Sequence, residues 1–120
     1  IRNYPQINRQ AVKEMHRQVG DLQIDASGIA RRGLLVRHLV LPAGLAGTQE
    51  IVRFLAEEIS RNTYLNIMDQ YRPTYKAHLY PEINRRITSK EYQEAVDMAS
   101  KAGLHRLDKR FPKIWMTALV

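Results

Sequence analysis

Two apolar runs carry polar residues that core packing alone does not call for. The first, GLLVRHLVLPAG at 33–44, sets Arg37 and His38 among branched aliphatics. The second, TYLNIMDQYRP at 63–73, contains Asn66, Met68, Gln70, Tyr71 and Arg72. A buried charge without a partner costs several kcal/mol, so each of these heads needs a counter-group or a ligand. If the two runs lie side by side, amides, an aromatic ring and a cation surround an apolar floor that includes Leu39 and Leu41. Such a set suits a nucleoside-like or amino-acid-like ligand.

Other chemistries find no support. The chain has no cysteine, which removes disulfides, thiolate zinc sites and cysteine-held iron–sulfur clusters from these 120 residues. Its four histidines, His16, His38, His78 and His105, do not have metal-motif spacing. GLAGT at 44–48 is too short for a phosphate-binding loop and lacks its lysine, and no serine, histidine and acid arrangement for nucleophilic catalysis is visible. No stretch approaches the ~18 uncharged apolar residues of a membrane span. The chain opens on Ile1 without a signal-peptide pattern, so it reads as an excised or processed segment with a cytoplasmic setting.

The elements that must position these residues follow from periodicity. Ile7, Ala11, Val12, Met15 and Val19 predict an amphipathic helix over 6–19, stopped by Gly20, with Arg9, Lys13 and Arg17 as a basic stripe. A short β-excursion follows, turning over 25–28. Residues 34–41 then predict a strand ended by Pro42. Thr48 is the expected N-cap of a helix over about 49–60, with Asn62 expected to cap its end. A second strand is expected over 63–68. Thr88 and Glu91 have capping-box spacing for a third helix that stops at Gly103. LHRL at 104–107 reads as a last short strand, and the apolar tail FPKIWMTALV needs a surface to lie on.

Strands separated by helices imply right-handed crossovers and a parallel sheet. The expected architecture is α/β with two to three mostly parallel strands and three helices, as one domain over 1–120. That sheet is incomplete and its edges are open, so self-association is expected. Alternation sets Leu35, Arg37, Leu39 and Leu41 on one face, and Leu34, Val36, His38 and Val40 on the other. Two roles for Arg37 are open: snorkelling or pairing with an acid such as Asp69, or meeting an anionic ligand in a crevice. Ligands of such folds gather at the carboxyl ends of strands, here 41–44 and 68–73. Core packing is the competing role for Asn66 and Met68.

RGLLVRHLVLP, YLNIMDQYRPTYKA and YPEINRRITSKEYQEA occur in that order and span nearly the whole chain together with NYPQINRQAVKEMHRQVGDL and GLHRLD. These phrases resemble the carboxy-terminal part of radical S-adenosylmethionine proteins related to pyruvate formate-lyase activating enzyme. The resemblance implies a fragment of a partial (βα)6 barrel whose strands help hold S-adenosylmethionine. In that family a 4Fe-4S cluster reductively cleaves the cofactor to a 5′-deoxyadenosyl radical. The radical abstracts hydrogen from a substrate, which for the activating enzymes is a glycine of a partner glycyl-radical enzyme. By the same resemblance Arg37 meets the methionine carboxylate or a neighbouring acid, and Leu39 packs on the adenine. Gln70 and Tyr71 face the cofactor from the next strand end. His38 points outward under a helix.

The chain departs from the family in lacking the C-x-x-x-C-x-x-C loop and the early glycine-glycine-glutamate strand, which belong to the family's amino-terminal half. It is therefore expected to be inactive alone, to bind neither cofactor tightly, and to need the missing amino-terminal half. The alternatives are a stand-alone basic module binding nucleic acid, or a non-catalytic scaffold domain. A net charge of +7 and the run Arg106, Lys109, Arg110 and Lys113 favour the basic module. Against it, the basic residues are scattered and no nucleic-acid motif is present.

Overall fold

Apolar residues at helical spacing and two strongly aliphatic runs build a sheet with helices packed on it. The computed structural model describes residues 4–44, 46–69, 85–108 and 116–119. Helix α1 (Tyr4–Val19) begins two residues earlier than the periodicity implies. Pro5 suits the first helical turn, where an N–H has no partner to lose. Gly20, at φ 73°, closes the helix, its N–H donating to the His16 carbonyl at 2.7 Å.

Strands β1 (Gln23–Ile24) and β2 (Ala30–Arg32) form the antiparallel excursion. Its turn is organised by Asp25, whose carboxylate accepts from the Ser27 and Ile29 amides at 2.9 and 3.0 Å. Strand β3 (Leu34–Leu39) ends before Pro42–Gly44, a single 3-10 turn. Helix α2 (Thr48–Phe54) widens into a π-helical stretch, Leu55–Ile59, with the Ser60 N–H reaching the Leu55 carbonyl at 2.8 Å. Strand β4 (Tyr64–Met68) is buried at every position, as expected of a strand inside a parallel sheet. Helix α3 (Ser89–Ala102) starts on the full Thr88–Glu91 capping box and ends on Gly103 in the left-handed region, both as the sequence implied.

Two capping expectations are corrected. Gly47, not Thr48, is the N-cap of α2, and no side chain caps it. The Thr48 hydroxyl is instead 2.9 Å from His38 Nε2 on the strand beneath. Asn62 does not cap the end of this helical run, where Ser60 is the C-cap of the π-helical stretch. Its side-chain oxygen pairs with the His105 ring at 3.0 Å, and its carbonyl accepts from Arg106.

The strand count is also corrected. Strands β5 (Arg106–Asp108) and β6 (Met116–Leu119) join β3 and β4 in one four-stranded sheet of order β5-β4-β3-β6, parallel at every pairing. The apolar tail thus supplies a strand, and β3 is paired on both sides. Leu34 and Val36 from β3, Val40 just after it, and Leu65 and Ile67 from β4 meet Val12, Val52, Leu55, Ala95 and Ala99 of the helices in the main core. Burying each of the larger aliphatics contributes about 1.5–3 kcal/mol. On the opposite face Leu35 and Tyr64 pack with Leu22 and Ala30 from the β1–β2 excursion.

Candidate functional site

The parallel register brings the two interrupted runs together. Leu35 lies beside Tyr64, Arg37 beside Asn66, and Leu39 beside Met68. Alternation then puts all six side chains on the face that the three helices do not cover. Asn66 is fully buried and Met68 nearly so, whereas Arg37 and Leu39 are half-buried. The Arg37 guanidinium donates to the Met68 sulfur, Nη2 to Sδ 3.2 Å. A thioether is a weak acceptor, and this contact sets the direction of the guanidinium. The result is a cation, a primary amide and a polarisable sulfur in the carboxyl-end half of two adjacent parallel strands.

His38 takes the other side. It is 1% exposed and held to Thr48 under α2, which separates it from the Arg37 group. Of the six residues singled out from sequence, Arg37, Leu39, Asn66 and Met68 are brought onto one face. Gln70 and Tyr71 lie outside the described residues, as does Arg72.

Two side chains at this face escaped the sequence reading. Tyr64, 7% exposed, lies two residues before Asn66 on the same face, and the Arg106 guanidinium sits 5.3 Å from its ring centroid. The alternation that marks Asn66 and Met68 also marks Tyr64. Arg106 carries no such mark, because its place depends on β5 docking against β4. Together Tyr64, Leu35, Leu22 and Ala30 close the amino-terminal end of the face.

A cavity of about 830 Å³ opens on the opposite, helix-covered side, lined by Ile67, Asp69, Arg86, Ser89, Tyr92 and Leu107 among others. Its cation and carboxylate sit at the rim, while the Tyr92 hydroxyl is directed to the Ile67 carbonyl at 3.2 Å. The Arg37 group sets a cation and an amide side by side on adjacent strands, and it is the candidate site.

The basic stripe of α1 is met within the fold. Arg17 binds Glu14 through two hydrogen bonds, 2.9 and 2.6 Å. That pairing, with help from Gln18, pulls the Glu14 carboxyl down to about 2. Lys13 pairs with Glu58 at 2.9 Å, and the Arg9 guanidinium lies 5.4 Å from the Phe54 ring centroid. Asp25 is likewise held below the usual carboxylate range, first by the Ile29 amide and then by Arg31. Among the described residues no group of three or more histidine, aspartate or glutamate side chains could hold a metal ion. No helix among them is long and apolar enough to cross a membrane.

Over 72 residues the chain is 43% identical to the uncharacterized protein MJ0674 of Methanocaldococcus jannaschii. The aligned stretch is 59% of this chain and 21% of that protein, so the chain spans about a fifth of the relative's length. No protein-family model matches the chain, and no solved structure matches it.

Proposed function

We propose that this chain is the carboxy-terminal part of a radical S-adenosylmethionine enzyme of the kind that activates glycyl-radical enzymes. On this reading β3, β4 and β5 are consecutive strands of a partial (βα)6 barrel, and the face that the three described helices do not cover is its interior. The observation that carries the reading is the Arg37–Asn66–Met68 group, placed where a parallel strand pair presents its inward side chains.

The donor set fits one half of the cofactor chemistry and not the other. S-adenosylmethionine carries an α-carboxylate, an amino group, a ribose and an adenine. Arg37 is suited to the carboxylate, since a guanidinium binds that group through two parallel N–H donors. Asn66 offers both a donor and an acceptor to a base or ribose edge. Leu39 provides an apolar surface for the adenine, and Met68 fixes the direction of the Arg37 head. The resemblance assigns Gln70 and Tyr71, which lie outside the described residues, to the same cofactor. The 4Fe-4S cluster finds no thiolate in these residues and would be held by a preceding part of a longer protein. Reductive cleavage of the bound cofactor is the chemistry that cluster supplies, and the role of this chain is to bind and orient. The implied macromolecular partner is a glycyl-radical enzyme.

The test is equilibrium dialysis of S-adenosylmethionine against the longer protein carrying the upstream residues. Arg37→Ala should weaken binding roughly 10- to 100-fold, the loss expected for a charge-assisted hydrogen-bonded pair. Arg37→Lys should recover only part of it. Equal affinity in all three proteins would remove Arg37 from the site, and no binding by the unsubstituted protein would remove the function.

A further inference from the structure

Strand β4 runs further than its neighbour β5. Their last pairing sets Asn66 beside Asp108, yet β4 continues to Met68. Carbonyls alternate sides along a strand. Met68 turns its own toward β3, where the Val40 N–H donates to it at 3.0 Å. The Ile67 carbonyl faces the other way and accepts from the Tyr92 hydroxyl of α3 at 3.2 Å. A helix side chain thus stands where a ladder partner would, and the cavity of about 830 Å³ opens there, between β4, β5 and the start of α3.

Its apolar lining is Ile67, Ile87, Tyr92, Val96 and Leu107. Ile67 belongs to the main core, and the other four are partly buried against that core. Their remaining apolar surface is what the cavity offers a ligand. Two opposite charges share the same cavity. Asp69 comes one residue after Met68, so it falls on the side of Ile67 and not beside Arg37. Arg86 comes from the approach to α3. Its neighbour Arg85 is occupied by Glu91 through two hydrogen bonds, 2.7 and 3.0 Å. Among the described residues the side chains of Asp69 and Arg86 make no hydrogen bond or ion pair, with each other or with another group.

That combination selects a ligand class. A simple anion meets repulsion from Asp69, and a simple cation meets it from Arg86. A neutral apolar molecule satisfies neither charge. A zwitterion with an apolar body satisfies both, and the volume lies within the roughly 300–1,000 Å³ of small-molecule sites. We propose that this cavity binds an α-amino acid with a large apolar side chain. The ligand carboxylate meets the Arg86 guanidinium, which suits it through two parallel N–H donors. The ligand ammonium meets Asp69, and the side chain lies on the apolar lining. The site is across the sheet from Arg37 and needs no cofactor bound there.

Isothermal titration calorimetry of the 120-residue chain with L-tryptophan, N-acetyl-L-tryptophan and tryptamine tests it. L-tryptophan should bind with a Kd of about 1 mM or tighter, a modest affinity because both charges are exposed. N-acetyl-L-tryptophan lacks the ammonium and tryptamine lacks the carboxylate, so each should bind at least about tenfold more weakly. Asp69→Asn should weaken L-tryptophan by a similar factor and leave N-acetyl-L-tryptophan unchanged. Arg86→Gln should weaken L-tryptophan and leave tryptamine unchanged. Both substitutions are on exposed side chains, and unchanged circular dichroism would show that the fold is kept. No saturable heat with L-tryptophan would overturn the proposal. Equal affinity for all three ligands, or L-tryptophan binding indifferent to both substitutions, would overturn it too.

Discussion

Arg37 and His38 are sequence neighbours with opposite surroundings. The strand's alternation sends the histidine under α2, where Thr48 receives it, and sends the arginine to the face that the three described helices do not cover, beside Asn66 and Met68. That division was legible from the period of two alone. The partner of His38 was not, because the bond joins a strand to a helix start and Thr48 has the look of an N-cap. His38→Ala would leave a cavity and a Thr48 hydroxyl that has lost this partner, so it should cost about 2–4 kcal/mol in urea unfolding. Thr48→Val keeps the shape and removes only the hydroxyl, and should cost about 1–2 kcal/mol. A loss below about 0.5 kcal/mol for both would show that the pair is not structural. Asn66 was legible as a polar residue in an apolar run, whereas its complete burial was not.

Elements were legible in proportion to how local their causes are. The start of α3 is written in Thr88 and Glu91, and the structure contains that reciprocal cap. Strand β6 has no comparable signature, since Met-Thr-Ala-Leu becomes a strand only because β3 offers it an edge. Gly33 shows a second non-local cause. Its φ of +109° lies in the left-handed region, and a Cβ there would come within 2.3 Å of the Asp21 carbonyl oxygen. Backbone on both sides leaves no room to yield, so Gly33→Ala should destabilise by about 3 kcal/mol or more, read as a lowered urea midpoint. Near-normal stability would mean that the close passage of 21–22 against 33 is relaxed in solution.

The β1–β2 excursion carries a pH dependence. Hydrogen bonds from the Ile29 amide and Arg31 depress the folded-state pKa of Asp25. Its contribution is therefore fully present above the ordinary aspartate value of about 3.9 and is lost as the pH falls through the lower, folded value. Asp25→Asn should lower Tm at pH 6, and the gap to the unsubstituted chain should close progressively below about pH 4. A gap unchanged down to pH 2 would assign the loss to something other than the carboxylate charge.

At the scale of the molecule, one parallel sheet has helices on one face and a polar cluster on the other. The α/β class and the parallel sense were legible from alternating elements, while the fourth parallel strand and its out-of-order place were not. The net charge of +7 pointed to an anionic partner, but the α1 stripe is engaged by Glu14, Glu58 and Phe54. Arg37 and Arg106 are the cations that the described residues place at the candidate site, one beside Met68 and one over the Tyr64 ring. The central claim is that this face helps seat S-adenosylmethionine for reductive cleavage in a longer enzyme. The most direct measurement is the formation of 5′-deoxyadenosine by that longer protein after anaerobic reconstitution with iron and sulfide, reduction, and addition of S-adenosylmethionine. The account predicts 5′-deoxyadenosine and methionine in equal amounts, with much less of both from Arg37→Ala. Recovery of the cofactor intact from a protein that has taken up iron and sulfide would contradict it.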